Sequence, residues 1–95
     1  PTDSRAGTAV YWWGETAYVQ LDFTSAATIY MDGYQKYPQS PKAPDMLLKA
    51  GLSLANLGKT KEACTAFTML ASQYPNASGV VTRRAASERS RLNCR

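Results

Sequence analysis

Along this chain the apolar positions fall three and four residues apart instead of alternating. Phe23, Ala26, Ala27, Tyr30, Tyr34 and Tyr37 trace one stripe, and Ala63, Phe67, Leu70 and Tyr74 trace another. That spacing marks one face of an α-helix and not a strand. Each stripe stops at a Tyr-Pro pair, Tyr37-Pro38 and Tyr74-Pro75, because proline cannot continue the helical ladder and restricts the residue before it. A third stripe, Met46, Leu47, Ala50, Leu54 and Leu57, follows Ser40-Pro41 and Pro44-Asp45 and ends at Gly58, where glycine suits a helix stop. Thr60 followed by Glu62 marks another start; Asp45 is expected to cap its helix, and Asn76 or Ser78 to cap the last one. The pattern predicts helices at 5–20, 23–37, 44–57, 60–74 and 78–92, with no strands and with short connections that make neighbours antiparallel.

The stripes belong to a repeat. An offset of 37 places Gly14 on Gly51, Phe23 on Thr60, Ala26 on Ala63, Tyr30 on Phe67 and Tyr37-Pro38 on Tyr74-Pro75. Gly58 falls opposite Leu21 in this frame, so the turn glycine is not shared. One unit spans 5–41 and the next 42–78, and residues 79–95 supply a single capping helix. Glycine, then alanine 12 later, an aromatic 4 beyond and proline 8 further on is the tetratricopeptide pattern. Small residues let paired helices approach, the aromatic fills the space between them, and proline closes the unit. The expected fold is all-α: a right-handed superhelix of about five antiparallel helices, two repeats plus the capping helix. The usual tryptophan of the first helix is replaced by Val10 and Leu47, and the extra residues of the period fall in the connection 37–45.

Composition narrows the function. The chain has 95 residues, 44% apolar and 19% charged, which suits one globular domain. The net charge of +4 is local: residues 1–82 balance six cations against six anions, and Arg83, Arg84, Arg89, Arg91 and Arg95 then face only Glu88. Glu88 lies four after Arg84 and three before Arg91, so ion pairing along a solvated helix face is expected instead of nucleic-acid binding. The alternative partner for this face is an acidic protein or membrane surface. With no histidine, imidazole catalysis and histidine zinc sites are excluded. Two cysteines cannot close a four-thiolate zinc site, and no Gly-rich phosphate loop exists, since Lys59-Thr60 lacks the glycines. No run reaches the length of a membrane span. No enzyme activity, cofactor, metal or small-molecule substrate is expected.

A closer resemblance rests on Ala9-Val10-Tyr11-Trp12-Trp13-Gly14-Glu15, on Tyr37-Pro38-Gln39-Ser40-Pro41-Lys42-Ala43-Pro44-Asp45, on Leu48-Lys49-Ala50-Gly51 and on Tyr74-Pro75-Asn76-Ala77-Ser78. Together these resemble the C-terminal tetratricopeptide domain of the CpoB family, also called YbgF. The departures are Trp13 and Met46, where that family carries leucine and alanine. The resemblance implies a periplasmic protein of Gram-negative bacteria that works with the Tol-Pal complex, contacts TolA and a peptidoglycan synthase, and couples outer-membrane constriction to wall synthesis during division. It also implies a longer precursor with a signal peptide, a trimerising coiled coil and another repeat, so that Pro1 is not a natural start and this piece alone is monomeric or weakly associating. The alternative is a tetratricopeptide module of an envelope assembly lipoprotein or another scaffold.

Two candidate features follow. Cys64 sits one position past Ala63, on the flank a following helix would cover, and Cys94 lies at that helix's end. A disulfide is expected, with the helix ending near Leu92 or Asn93, where asparagine accepts a left-handed turn; the alternative is two free thiols in a cytosolic protein. Tetratricopeptide stacks bind peptides along the groove lined by the first helix of each unit. In this frame the lining positions are Thr8, Tyr11, Glu15, Tyr18 and Val19, then Asp45, Leu48, Leu52, Ala55 and Asn56, with Trp12 alongside. Tyr11 and Trp12 are expected at an interface and Trp13 in the core; the alternative is that all three cover an upstream repeat or fill the core.

Overall fold

The computed structural model describes residues 4–94. Five helices follow in order: α1 (Ser4–Val19), α2 (Phe23–Lys36), α3 (Ala43–Asn56), α4 (Thr60–Gln73) and α5 (Gly79–Arg91). No strand occurs among the described residues. Helices α2 and α4 coincide at the 37-residue offset, so the repeat in the sequence is a repeat in space. Consecutive helices pack side by side, and α3 additionally touches α1 and α5. The first helices of successive units therefore share one face of the stack. Arg95 lies outside the described residues.

Local chemistry sets the ends. Asp22 caps α2 by accepting from the Ser25 amide, and Ser78 caps α5 by accepting from the Val81 amide. Tyr37 and Tyr74 leave the helix with φ near −127° and −130°, because each precedes a proline that disfavours helical backbone. Helices α2 and α4 thus end one residue before the expected positions. Asp45 is not the cap of α3: Lys42 holds that position without a side-chain hydrogen bond, and Asp45 stands in the first turn, where a carboxylate suits the helix dipole. Leu21 adopts φ 62° and Gly58 φ 79° at equivalent repeat positions. The left-handed turn is shared although the glycine is not. Asn93 takes φ 60° just after α5.

Tyr30, Phe67, Met46, Leu47 and Leu70 are fully buried and form the centre of the core with Ala26, Ala50 and Ala63. Burying each large apolar side chain contributes roughly 1.5–3 kcal/mol. The two aromatics reach this depth because glycine faces them. A β-carbon on Gly14 would stand 2.5 Å from the Tyr30 ring, and one on Gly51 would stand 2.5 Å from the Phe67 ring. At the third equivalent position stands Glu88, held between Arg84 (3.2 Å) and Arg91 (2.7 Å). A further helix could not approach α5 as α2 approaches α1. Burial pushes the Glu88 carboxyl up, but hydrogen bonds from Arg91 and Arg84 outweigh it and leave the pKa lowered. The structure bonds Cys64 to Cys94 with their Cα atoms 5.5 Å apart, tying the turn after α5 to α4.

Trp13 is not in the core. It is 65% exposed, whereas its repeat equivalent Ala50 is fully buried. On α3, which packs between α2 and α4, this position is enclosed, whereas α1 packs on α2 and touches α3 and no described helix precedes it.

Candidate functional site

The face shared by α1 and α3 is built from residues two helical turns apart. Tyr11 and Tyr18 are seven apart on α1, and Lys42 and Lys49 are seven apart at the start and middle of α3. Residues at that interval share a helix face, so each tyrosine meets one lysine. Lys42 Nζ lies 4.8 Å from the Tyr11 ring centre and 5.8 Å from that of Trp12. Lys49 Nζ lies 4.4 Å from the Tyr18 ring centre and 2.9 Å from Glu15 Oε1. Glu15 in turn accepts a hydrogen bond from the Tyr30 hydroxyl. Ring contacts continue inward: Tyr11 with Trp12 at 5.2 Å, Tyr11 with Tyr30 at 6.0 Å, Tyr18 with Tyr30 at 6.3 Å and Tyr18 with Phe23 at 5.4 Å. A cation over an aromatic face is worth about 0.5–2 kcal/mol. The arrangement orients two ammonium groups and a carboxylate over a rigid aromatic floor.

Of the residues expected in the groove, Tyr11, Trp12, Glu15 and Tyr18 come together here. Thr8 is half-buried on the same helix. Leu48 and Leu52, and Tyr11 with them, are buried in the core and offer little surface to a partner. Val19 is 72% exposed at the end of α1, Ala55 is half-buried, and the Asn56 amide donates to the Leu52 carbonyl. Asp45 lines a separate cleft of about 530 Å³ between the two Tyr-Pro connections, with Pro38, Pro44, Tyr74 and Val81; there the Tyr74 hydroxyl donates to the Pro38 carbonyl at 2.8 Å. Lys42 and Lys49 were absent from the expected lining. Their seven-residue spacing, equal to that of Tyr11 and Tyr18, is the signal that identifies them.

Burial, with the nearby charges of Glu15 and Asp45, pushes the Tyr11 hydroxyl up to about 12. Burial and the bond to Glu15 push Tyr30 up further, and burial with nearby Tyr34 raises Tyr74. A group whose folded pKa exceeds its unfolded value of 10.0 contributes full stability below that value and loses it as pH rises towards the folded pKa. Each such tyrosine then costs about 1.4 kcal/mol per pH unit. An alkaline titration followed by tyrosinate absorbance and helical circular dichroism should show ionisation of Tyr11, Tyr30 and Tyr74 accompanied by helix loss that sets in above pH 10. Ionisation of all tyrosines in one step near that pH, with helix retained, would contradict the buried network.

No helix among the described residues is long and apolar enough to cross a membrane, and no cluster of three metal-ligating side chains occurs among them. No curated protein matches the chain. Residues 45–77, from the first turn of α3 to the connection after α4, match the tetratricopeptide repeat family model. Domains of this type ordinarily work as protein-interaction modules and not as catalysts. The chain thus carries a tetratricopeptide repeat at 45–77, within an all-helical fold of that type.

Proposed function

We propose that the chain is a non-enzymatic adaptor of the Gram-negative periplasm whose α1–α3 face holds a segment of a protein partner. In this reading it coordinates Tol-Pal constriction of the outer membrane with peptidoglycan synthesis during cell division, through TolA and a peptidoglycan synthase. The observation that carries the binding role is the pairing of the accessible Trp12 and Tyr18 with Lys42 and Lys49. Rigid aromatic rings give large contact area at low entropic cost, and the lysines and Glu15 set polarity. Support for the compartment comes from the Cys64–Cys94 bond, since structural disulfides persist in oxidising surroundings. Support for the partners comes from the resemblance of the Tyr37–Asp45 connection to the CpoB family.

The test is calorimetry against a periplasmic TolA fragment. Tyr11 is 8% exposed, so its truncation would also open the core. Tyr18→Ala and Lys42→Ala are the cleaner variants, both half-buried. Each should weaken binding roughly tenfold, the scale of an ordinary interface anchor, while helix content is retained. Unchanged affinity with both substitutions would overturn the assignment of the face.

A further inference from the structure

A second surface lies away from the α1–α3 face. The outer edges of α2 and α4 bound a cleft of about 500 Å³ whose walls include Met31, Ala66 and Met69, with Leu54 of α3 also lining it. Its polar groups include two carboxylates, Asp32 from α2 and Glu62 from α4. Both are exposed, and among the described residues neither takes part in an ion pair or hydrogen bond. Glu15, Glu88 and Asp22 by contrast each serve the fold through Lys49, the two arginines and the α2 cap. Asp32 also stands close to the C-terminal end of α2, where the helix dipole disfavours an anion, whereas Glu62 stands in the first turn of α4, where the dipole favours one. The nearest cations in sequence are Lys36, four residues after Asp32 in the last turn of α2, and Lys61, which lines the adjoining cleft beside the disulfide; neither forms an ion pair with these carboxylates. Asp32 has no hydrogen-bonded or ion-paired partner among the described residues, and a cationic ligand would supply one.

We propose that this cleft docks an amphipathic helix of a partner protein, its apolar stripe on the two methionines and its flanking lysines or arginines against Asp32 and Glu62. Methionine side chains are flexible and polarisable and accommodate varied apolar side chains, and a channel between two helices suits an inserted helix. The chain's three methionines provide the readout, because Met46 is fully buried while Met31 and Met69 line the cleft.

The test labels the methionine methyls and titrates a lysine-flanked leucine/alanine peptide of about four helical turns, followed by NMR. The Met31 and Met69 signals should move and that of Met46 should stay. A glutamate-flanked peptide with the same apolar residues, or the variant Asp32→Lys/Glu62→Lys, should bind at least about tenfold more weakly, as expected when two attractive charge pairs become repulsive. Tyr18→Ala should leave the titration unchanged, which separates this cleft from the α1–α3 face. Stationary Met31 and Met69 signals at millimolar peptide would overturn the proposal, as would equal binding of the two peptides or of the double-lysine variant. Both substituted positions are exposed, and helical circular dichroism of the variant checks its fold.

Discussion

Reduction of the Cys64–Cys94 bond is expected to lower the stability of the domain by about 3–4 kcal/mol. The bond closes a sequence separation of 30 residues, and the chain-entropy estimate for a loop of that size gives this magnitude. Its location concentrates the effect. Helix α5 buries only Val81, Ala85 and Glu88 and packs against α4 less extensively than the other consecutive helices pack together. It is the element with least packing to hold it once the tether is gone. For a domain of this size, such a loss corresponds to a melting temperature lower by roughly 15–25 °C. Thermal melts with and without reductant, and of Cys64→Ser/Cys94→Ser, should agree on that shift. Hydrogen exchange should show the α5 amides losing protection first. A melting temperature unchanged by reduction would mean that α5 is held by its apolar contacts and ion pairs alone.

Gly51→Ala is expected to destabilise the domain by about 2–3 kcal/mol, the reverse of what helix propensity says. In an exposed helix interior the same change gains up to about 1 kcal/mol. At Gly51 the new methyl group would sit 2.5 Å from the ring of Phe67, which is fully buried and walled in by the core. The ring cannot swing aside without disturbing the close-packed interior. Gly58→Ala is the control. No atom lies within 4 Å of its added β-carbon, but its φ is +79°, so the cost is conformational, about 1 kcal/mol. Urea unfolding should therefore rank Gly51→Ala as the more damaging change. A stabilised Gly51→Ala protein would show that helix and ring are not in the close contact on which the repeat is built.

The fold was legible because its rules are local and repeated. The spacing of Tyr30 and Phe67, the glycines opposite them and the Tyr-Pro stops all lie within one unit and recur at the same offset. Leu21 was not legible as a turn, because a non-glycine residue in left-handed backbone carries no mark in the sequence. The 37-residue offset pairs Leu21 with Gly58, but only the backbone shows that both take the left-handed turn. Trp13 was misplaced for a different reason: its repeat position is a core position only when a helix precedes it, and that condition lies outside the repeat pattern. The site was half legible. Trp12, Glu15 and Tyr18 of the expected lining gather on the α1–α3 face, but Tyr11, Leu48 and Leu52 are drawn into the core, and the lysines that face the tyrosines come from the next unit. Cross-unit pairing of this kind depends on how far α1 and α3 approach, which periodicity does not encode. The Met31–Met69 cleft likewise depends on the separation of α2 from α4.

The most direct test of the binding face uses the two tryptophans, neighbours in sequence with different settings. Trp12 lies beside Lys42 and Tyr11, whereas Trp13 is 65% exposed at the position that is buried as Ala50 on α3. Trp13→Phe leaves Trp12 as the sole tryptophan, and Trp12→Phe leaves Trp13. On titration with the TolA fragment, the fluorescence of the protein retaining Trp12 should change in step with binding, and that of the protein retaining Trp13 should not. A response from Trp13 with none from Trp12 would place the partner on the outer edge of α1 and contradict the α1–α3 face as the binding site.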